Sequence, residues 1–230
     1  MSTREAAGGG RFVDVAPERL QRWLDNFAER HGGITWTDPS TALGADGSVA
    51  QVEVPFGPLT GDLVAHCTTP RRIGLVLVRL GGHAVGVAEG PELVISKVGS
   101  RHVQGRTAAG GWSQQRFARR REGQGQVALQ AAADTAVKFL LPEVGRLDGL
   151  ILGGDRGAVT AVLADRRLAS LAPLVIDRLL EVAEPRLVIL EKAVAQARAL
   201  QVKVLDPPGC PSTWLTEHPA DRAGAAARPR

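Results

Sequence analysis

The residues with the clearest chemical potential lie between 97 and 121, in KVGSRHVQGRTAAGGWSQQRFARRR. Seven Lys/Arg (Lys97, Arg101, Arg106, Arg116, Arg119, Arg120, Arg121) stand there with no Asp or Glu, and His102 adds an imidazole. The chain of 230 residues is formally +4; without these seven, 21 basic residues face 24 acidic ones, a balance of −3. The basic character is therefore local. In its middle, Ala108-Ala109-Gly110-Gly111 offers little side chain to pack, and Trp112-Ser113-Gln114-Gln115 follows with two adjacent amides. A glycine loop flanked by arginines and tipped with amides suits a polyanion such as RNA and suits a packed core badly.

Other candidate chemistry is weaker. His66 and Cys67 are neighbours, but on an extended chain adjacent side chains point to opposite faces, which defeats a nucleophile–base pair. Gly153-Gly154-Asp155-Arg156-Gly157 has neither the Lys-Ser/Thr of a phosphate loop nor dinucleotide spacing, and it reads as a strand-to-helix turn. His31 and His83 fall at helix-end and turn positions and are expected at the surface. No cluster of Asp and Glu suggests a metal site, and no cofactor is implied. Two cysteines, Cys67 and Cys210, give no disulfide framework. A reduced, cytoplasmic setting is the expectation, with no signal peptide and no uncharged apolar run long enough to cross a membrane.

The elements that must position the loop can be read from periodicity. Residues 1–10 read as a disordered leader. Residues 11–60 read as an N-terminal appendage: a helix with Leu20, Trp23, Leu24, Phe27 and Ala28 on one stripe, then two short strands at 34–36 and 49–54. Residues 71–208 form the main domain. Three strands, 73–80, 83–89 and 93–104, follow one another through short turns as a meander. After the loop at 105–111 comes a helix with Leu129, Ala133, Ala136 and Leu140 on one face. Gly123 and Gly125 predict a break or kink in it, since each costs about 1 kcal/mol relative to Ala. Strands at 147–152, 174–182 and 202–205 alternate with helices at 158–168 and from Pro185, the latter with Leu187, Leu190, Val194 and Ala197 on one face. Residues 217–230 read as a disordered tail. Strands first, then helix–strand alternation, predicts an α/β fold with a mixed sheet flanked by helices.

The stretch Gly110-Gly111-Trp112-Ser113-Gln114-Gln115-Arg116-Phe117-Ala118-Arg119 resembles the catalytic loop and following helix of eukaryotic and archaeal class I peptide-chain release factors. Those factors carry a Gly-Gly-Gln tip followed by Arg-Phe-Ala-Arg, which Arg116-Phe117-Ala118-Arg119 matches; their glutamine would fall at Trp112. The stretch is more similar to the release-factor-like domain of ribosome-quality-control peptidyl-tRNA hydrolases, the eukaryotic ankyrin-repeat and zinc-finger hydrolases and their actinobacterial relatives. Their loop reads Gly-x-x-Gln, which Gly111-Trp112-Ser113-Gln114 satisfies. The resemblance covers about 71–208.

It implies a ribonuclease-H-like mixed sheet of the release-factor middle-domain type. It implies release of nascent chains from stalled large ribosomal subunits by hydrolysis of the peptidyl-tRNA ester. Gln114, Gly111 and Ser113 would then serve the reaction, with Gln115 as rival amide. Arg101, His102, Arg106, Arg116, Arg119, Arg120 and Arg121 would contact RNA. The implied partners are the large ribosomal subunit, peptidyl-tRNA and ribosomal RNA, engaged by a monomer with no membrane involvement. The alternative reading is a non-catalytic ribosome- or RNA-binding protein on the same fold. A metal-dependent nuclease is a third reading, against which the missing acidic cluster counts.

Overall fold

A computed structural model describes residues 3–6, 9–79, 81–100 and 113–207, with only the backbone helix described at 113–122. The chain divides into two compact units.

The first unit is a six-stranded sheet with one helix. Its strands are β1 (Thr3–Glu5), β2 (Arg11–Val15), β3 (Ile34–Asp38), β4 (Thr41–Gly44), β5 (Val49–Glu53) and β11 (Leu200–Leu205), in the order β1-β2-β11-β5-β4-β3. Helix α1 (Leu20–Arg30) buries Leu20, Trp23, Leu24 and Phe27, the stripe read from the sequence. One alternate set of strand residues is buried as well: Val13, Val15, Ala42, Ala50, Val52, Leu200, Val202 and Val204.

Three local readings change in this unit. The expected leader is not structureless where it is described, because Thr3–Glu5 pairs antiparallel with β2. Gly9 and Gly10, at φ 95° and 79°, close this hairpin, and Gly10 O accepts from Ala6 N at 3.0 Å. Strand β4, a short Thr-Ala-Leu-Gly, adds to the two strands expected in the appendage. The last strand, expected in the main domain, lies instead between β2 and β5, with Val202 opposite both Val13 and Val52.

The second unit, inserted between β5 and β11 in the chain, begins with a short helix, α2 (Leu63–Thr68). Its sheet contains β6 (Arg72–Arg79), β7 (Gly82–Glu89), β8 (Glu92–Ser100), β9 (Gly149–Gly154) and β10 (Val175–Leu180), in the order β10-β9-β6-β7-β8. Only β7 runs against the others. This is the mixed, ribonuclease-H-like order that the resemblance implies.

Helices cover both faces. Helix α3 (Ser113–Leu140), helix α4 (Arg156–Leu163) and the 3-10 segment Arg166–Leu174 pack on Val76, Val78, Val85, Val87 and Leu150. Helix α5 (Leu187–Arg198) packs on Ile73, Leu75, Leu77, Ala84, Ala88 and Ile151 through Leu190, Ala193, Val194 and Ala197. Strand β6 is thus apolar on both faces, as its run Ile-Gly-Leu-Val-Leu-Val requires. Burying each such large aliphatic side chain contributes about 1.5–3 kcal/mol. Leu187 departs from its expected place: it is 48% exposed, as is Val188 at 52%.

The Gly153-Gly154-Asp155 segment is the strand-to-helix turn expected. Asp155 caps α4 by accepting from Ala158 N at 2.7 Å. Gly154 has φ 97°, and a Cβ there would lie 2.2 Å from Val78 O, so the turn admits glycine only.

The break expected at Gly123 and Gly125 is absent: α3 is one helix of 28 residues. Two glycine penalties of about 1 kcal/mol each are too small to interrupt a helix whose C-terminal half is locked in the core. A Cβ added at either position would meet nothing within 4 Å. Gly123→Ala and Gly125→Ala should therefore each stabilise the protein by about 0.4–1 kcal/mol. Denaturant midpoints measure this; unchanged midpoints in the double variant would show that this part of α3 is not helical in solution.

Candidate functional site

The described packing of helix α3 lies in its C-terminal half. Among the residues whose burial is described, the first buried one is Ala128, while Gly123, Gln126 and Val127 are exposed. At a rise of 1.5 Å per residue, Ser113 lies about 22 Å along the helix from Ala128. From Ala128 onward, Ala132, Ala133, Ala136 and Leu140 bury against the sheet. The alanines among them let the helix approach the strands closely.

The direction of α3 follows from its contacts. Its last residue lies near Gly74, where a Cβ would come within 3.7 Å of Leu140 Cδ2, at the start of β6. Its Thr135 bonds to His83 at the start of β7, opposite Gly99 near the end of β8. Traced back from Leu140 to Ser113, the helix therefore heads for the end of the sheet where β6, β8, β9 and β10 finish. This is the carboxyl end of the parallel strands, where open α/β sheets hold their ligands.

Three polar anchors hold the packed half. Arg72 reaches Glu143 at 2.8 Å, just beyond the C-terminus of α3. Arg167 bonds to Asp134 on α3 at 2.7 Å and to Asp165 at 2.7 Å. His83 Nε2 and Thr135 Oγ1 are 2.9 Å apart. His83 is only 5% exposed, so the surface role expected from the sequence is corrected. The Gly81-Gly82 turn is present, but β7 starts at once and α3 covers His83 through Thr135. His31 does stand at the end of α1, where it bonds to Asp46 at 2.8 Å. Burial pushes the Asp46 carboxyl upward, but hydrogen bonds from His31 and Ser48 outweigh it and leave it below its usual value.

The His66–Cys67 pair is also corrected in its premise, since both residues lie on helix α2 and both are buried. It gains no reactivity from this. Burial pushes the Cys67 thiol up, and His66 faces Thr60 Oγ1 at 3.5 Å and Pro55 O at 3.4 Å. Among the described residues, no three His, Cys, Asp or Glu side chains are grouped to hold a metal ion. Among the same residues, no helix is long and apolar enough to cross a membrane.

The sequence-derived residues divide as follows. Ser113, Gln114 and Arg116 lie in the first turn of α3, with Arg119, Arg120 and Arg121 on the next turns. Arg101, His102, Arg106 and Gly111, with the rest of the 105–111 loop, lie outside the described residues, as does the tail at 217–230. The described chain reaches this gap at Ser100, the last residue of β8, and resumes at Ser113.

With this geometry in place, comparison with known proteins is informative. Residues 71–203 match the family described as Actinobacteria/chloroflexi VLRF1 release factor. The chain belongs to that family. The matched span begins just before β6 and holds the whole mixed sheet, residues 101–112 and α3. No curated protein matches the chain. Among solved structures, the archaeal translation termination factor aRF1 is similar at 15% identity and a TM-score of 0.43 over 81% of this chain. This chain spans just under two thirds of that one, 66%. The S. cerevisiae protein Dom34, a translation termination-like factor involved in RNA quality control pathways, is similar at 10% identity and a TM-score of 0.34, with 86% of this chain and 69% of that one covered. In this member of a release-factor family, the three anchors add polar contacts to the apolar packing of α3.

The Arg167 anchor has a defined pH range. Its hydrogen bond holds Asp134 below the usual carboxylate range and lowers Asp165 to about 2. Groups with depressed folded-state pKa values add stability above about pH 4, and that stability is lost as pH falls towards about 2. Both carboxylates are within reach of solvent, so the effect on melting should be small. We expect Arg167→Ala to lower the melting temperature slightly at pH 6 and to approach wild type near pH 2. Equal melting at pH 6 would remove Arg167 from the anchors of α3.

Proposed function

We propose that this protein is a ribosome-associated peptidyl-tRNA hydrolase that frees nascent chains from stalled large subunits. The observation that carries the reading is the place of Ser113 and Gln114. They open the backbone of α3, which, traced back from Leu140, runs towards the carboxyl end of the parallel strands, and on this reading the Gly-x-x-Gln tip is presented there. Membership of a release-factor family supports translation as the setting. A cytoplasmic monomer acting on ribosomal RNA and peptidyl-tRNA fits both, as do the actinobacterial relatives of the ankyrin-repeat and zinc-finger hydrolases. The domain that would act is 71–208, with the first unit as an appendage to it.

The chemistry follows from what an ester needs. Hydrolysis requires a positioned water and donors for the developing oxyanion. Glutamine is no base near neutral pH, but the amide of Gln114 can orient a water with its carbonyl and donate with its NH2. The first backbone N–H groups of α3 have no partner within the helix and carry its positive end, which favours negative charge at the tip. Gly111 lets the backbone enter a narrow RNA channel, and Ser113 adds a hydroxyl beside the amide. Arg116, Arg119 and Arg120 are spaced by three and four along α3 and so share one stripe. With Arg101, His102, Arg106 and Arg121 they would hold phosphates and thereby fix the register of α3.

The release assay uses purified large subunits carrying labelled peptidyl-tRNA. Gln114→Ala should slow release by roughly 10²–10³ while leaving subunit binding nearly intact, because a neutral amide adds little to affinity for a polyanion. Gln115→Ala should lose less. If Gln115→Ala is inactive and Gln114→Ala is not, the register of the tip is shifted by one residue. If both variants release peptide normally, the hydrolase reading fails and a non-catalytic ribosome-binding protein on the same fold takes its place.

Docking is tested separately. Replacing Arg116, Arg119 and Arg120 with Ala should weaken binding. The dependence of log affinity on log salt should flatten by about 0.7–0.9 for each phosphate no longer neutralised. An unchanged salt slope would mean that this stripe does not face RNA.

A further inference from the structure

Strand β7 is buried along its first seven residues, and six of those seven are Gly, Ala or Val. The seventh is His83. Burying an imidazole in such a strand costs more than burying another aliphatic residue, unless its polar atoms are satisfied. One partner is Thr135 Oγ1 at 2.9 Å. The Thr135 hydroxyl donates its single proton to Ala131 O at 2.8 Å, so it accepts from His83, which assigns a proton to Nε2.

The ring also lies against β8. A Cβ on Gly99 would fall 2.5 Å from His83 Cε1 and 2.6 Å from Nε2, closer than any side chain could stand without displacing the ring. Gly99 is paired directly with His83 in the ladder. Three elements thus meet at one imidazole: β7 that carries it, β8 that leads into residues 101–112, and α3 that leads out of them.

The geometry points to His83 as a positioning residue for the proposed tip: it fixes the direction in which α3 leaves the sheet, and so where Ser113 and Gln114 are presented. This inference rests on the hydrolase reading for its effect on rate, but not for its effect on geometry. From Ala128, the buried residue described nearest the tip, the helix runs about 22 Å to Ser113, so a tilt of roughly 5° in the packed half moves the far end by about 2 Å. A misplacement of about 1 Å can cost on the order of 10²-fold in rate. Charge on the arginines would still bring the protein to RNA, so affinity should be little affected.

The test replaces Thr135 rather than His83, because Thr135→Val keeps the shape of the side chain and removes the acceptor, while Thr135→Ser keeps the acceptor. The first readout is geometric. Spin labels at Gly123→Cys on α3 and Thr160→Cys on α4, in a Cys210→Ser background, report the distribution of distances between the two helices. We expect one narrow distribution with the native threonine and in Thr135→Ser, and a broadened or displaced one in Thr135→Val. The second readout is release from large subunits at saturating protein, together with the half-saturating concentration. Thr135→Val should release peptide at least about tenfold more slowly at a half-saturating concentration within about twofold of wild type, and Thr135→Ser should match wild type.

An unchanged distance distribution in Thr135→Val overturns the inference whatever the assay gives. So does a changed distribution with an unchanged release rate, since the direction of α3 would then not matter to the tip. A wild-type protein that releases nothing sinks the hydrolase reading alone, and the distance measurement still decides the role of His83. Loss of both rate and affinity with a fall in melting temperature also overturns the inference, because it would show a merely structural residue.

Discussion

A helix of 28 residues is about 42 Å long, and the strands beneath α3, of eight or nine residues, are about 26–30 Å. The helix is longer than the strands, so the place of its other half depends on where the packed half is fixed. Leu140 near Gly74 sets the lower end, and Thr135 and Asp134 hold the helix between Leu140 and Ala128. The alanines at 128, 132, 133 and 136 set the distance from the strands, and Leu140, Leu129, Val137 and Phe139 of the same helix pack into the core beside them. Directional bonds from His83 and Arg167 add to this packing.

Much of this is legible in the sequence, and the parts that are not share a cause. The meander, the alanine stripe of α3 and the capped turn at Asp155 are local patterns, set by residues within a few positions of one another. The place of β11 is not local: Val202 pairs with Val13 and Val52, 189 and 150 positions away, and strand periodicity says nothing about partners. Helix α2, at six residues, is shorter than the window in which a helical period shows, and its one signal is Asp62, whose side chain caps Ala65 N. His83 reads as a surface residue because it follows Gly81-Gly82, a turn. Here the turn is tight, the strand starts at once, and α3 arrives from about fifty residues later to cover it. The site itself is legible as residue types at a spacing. What the sequence does not supply is the direction of the helix on which those residues stand.

Charge divides labour between the two units. The described residues of the first unit hold six Lys/Arg against eight Asp/Glu, whereas residues 97–121 hold seven against none. On the proposed reading, a polyanion would be drawn to residues 97–121 and gain nothing from the first unit. The cost of such a basic stretch is self-repulsion, and no acid within it offsets that. A stretch kept this way is informative about its partner: interspersed carboxylates would stabilise the free protein and weaken its hold on phosphate.

The same argument separates docking from chemistry at the level of single side chains. From Arg101 to Arg121, every formally charged side chain is an Arg, and the groups at the Gly-x-x-Gln tip are neutral. An arginine at the tip would bind a phosphate and be held by it, so it could not also wait beside an ester. A neutral amide makes no such competing bond of comparable strength, because hydrogen bonds with an ionised partner are roughly twice as strong as neutral ones. On the proposed hydrolase reading, arginines behind the tip and amides on it would let affinity be built without fixing the reactive end in the wrong place. The remaining requirement of that reading is mechanical. Affinity gathered by the arginines would reach the tip through α3, and the packed half of that helix, with Thr135 and Asp134 in it, is where its direction is held.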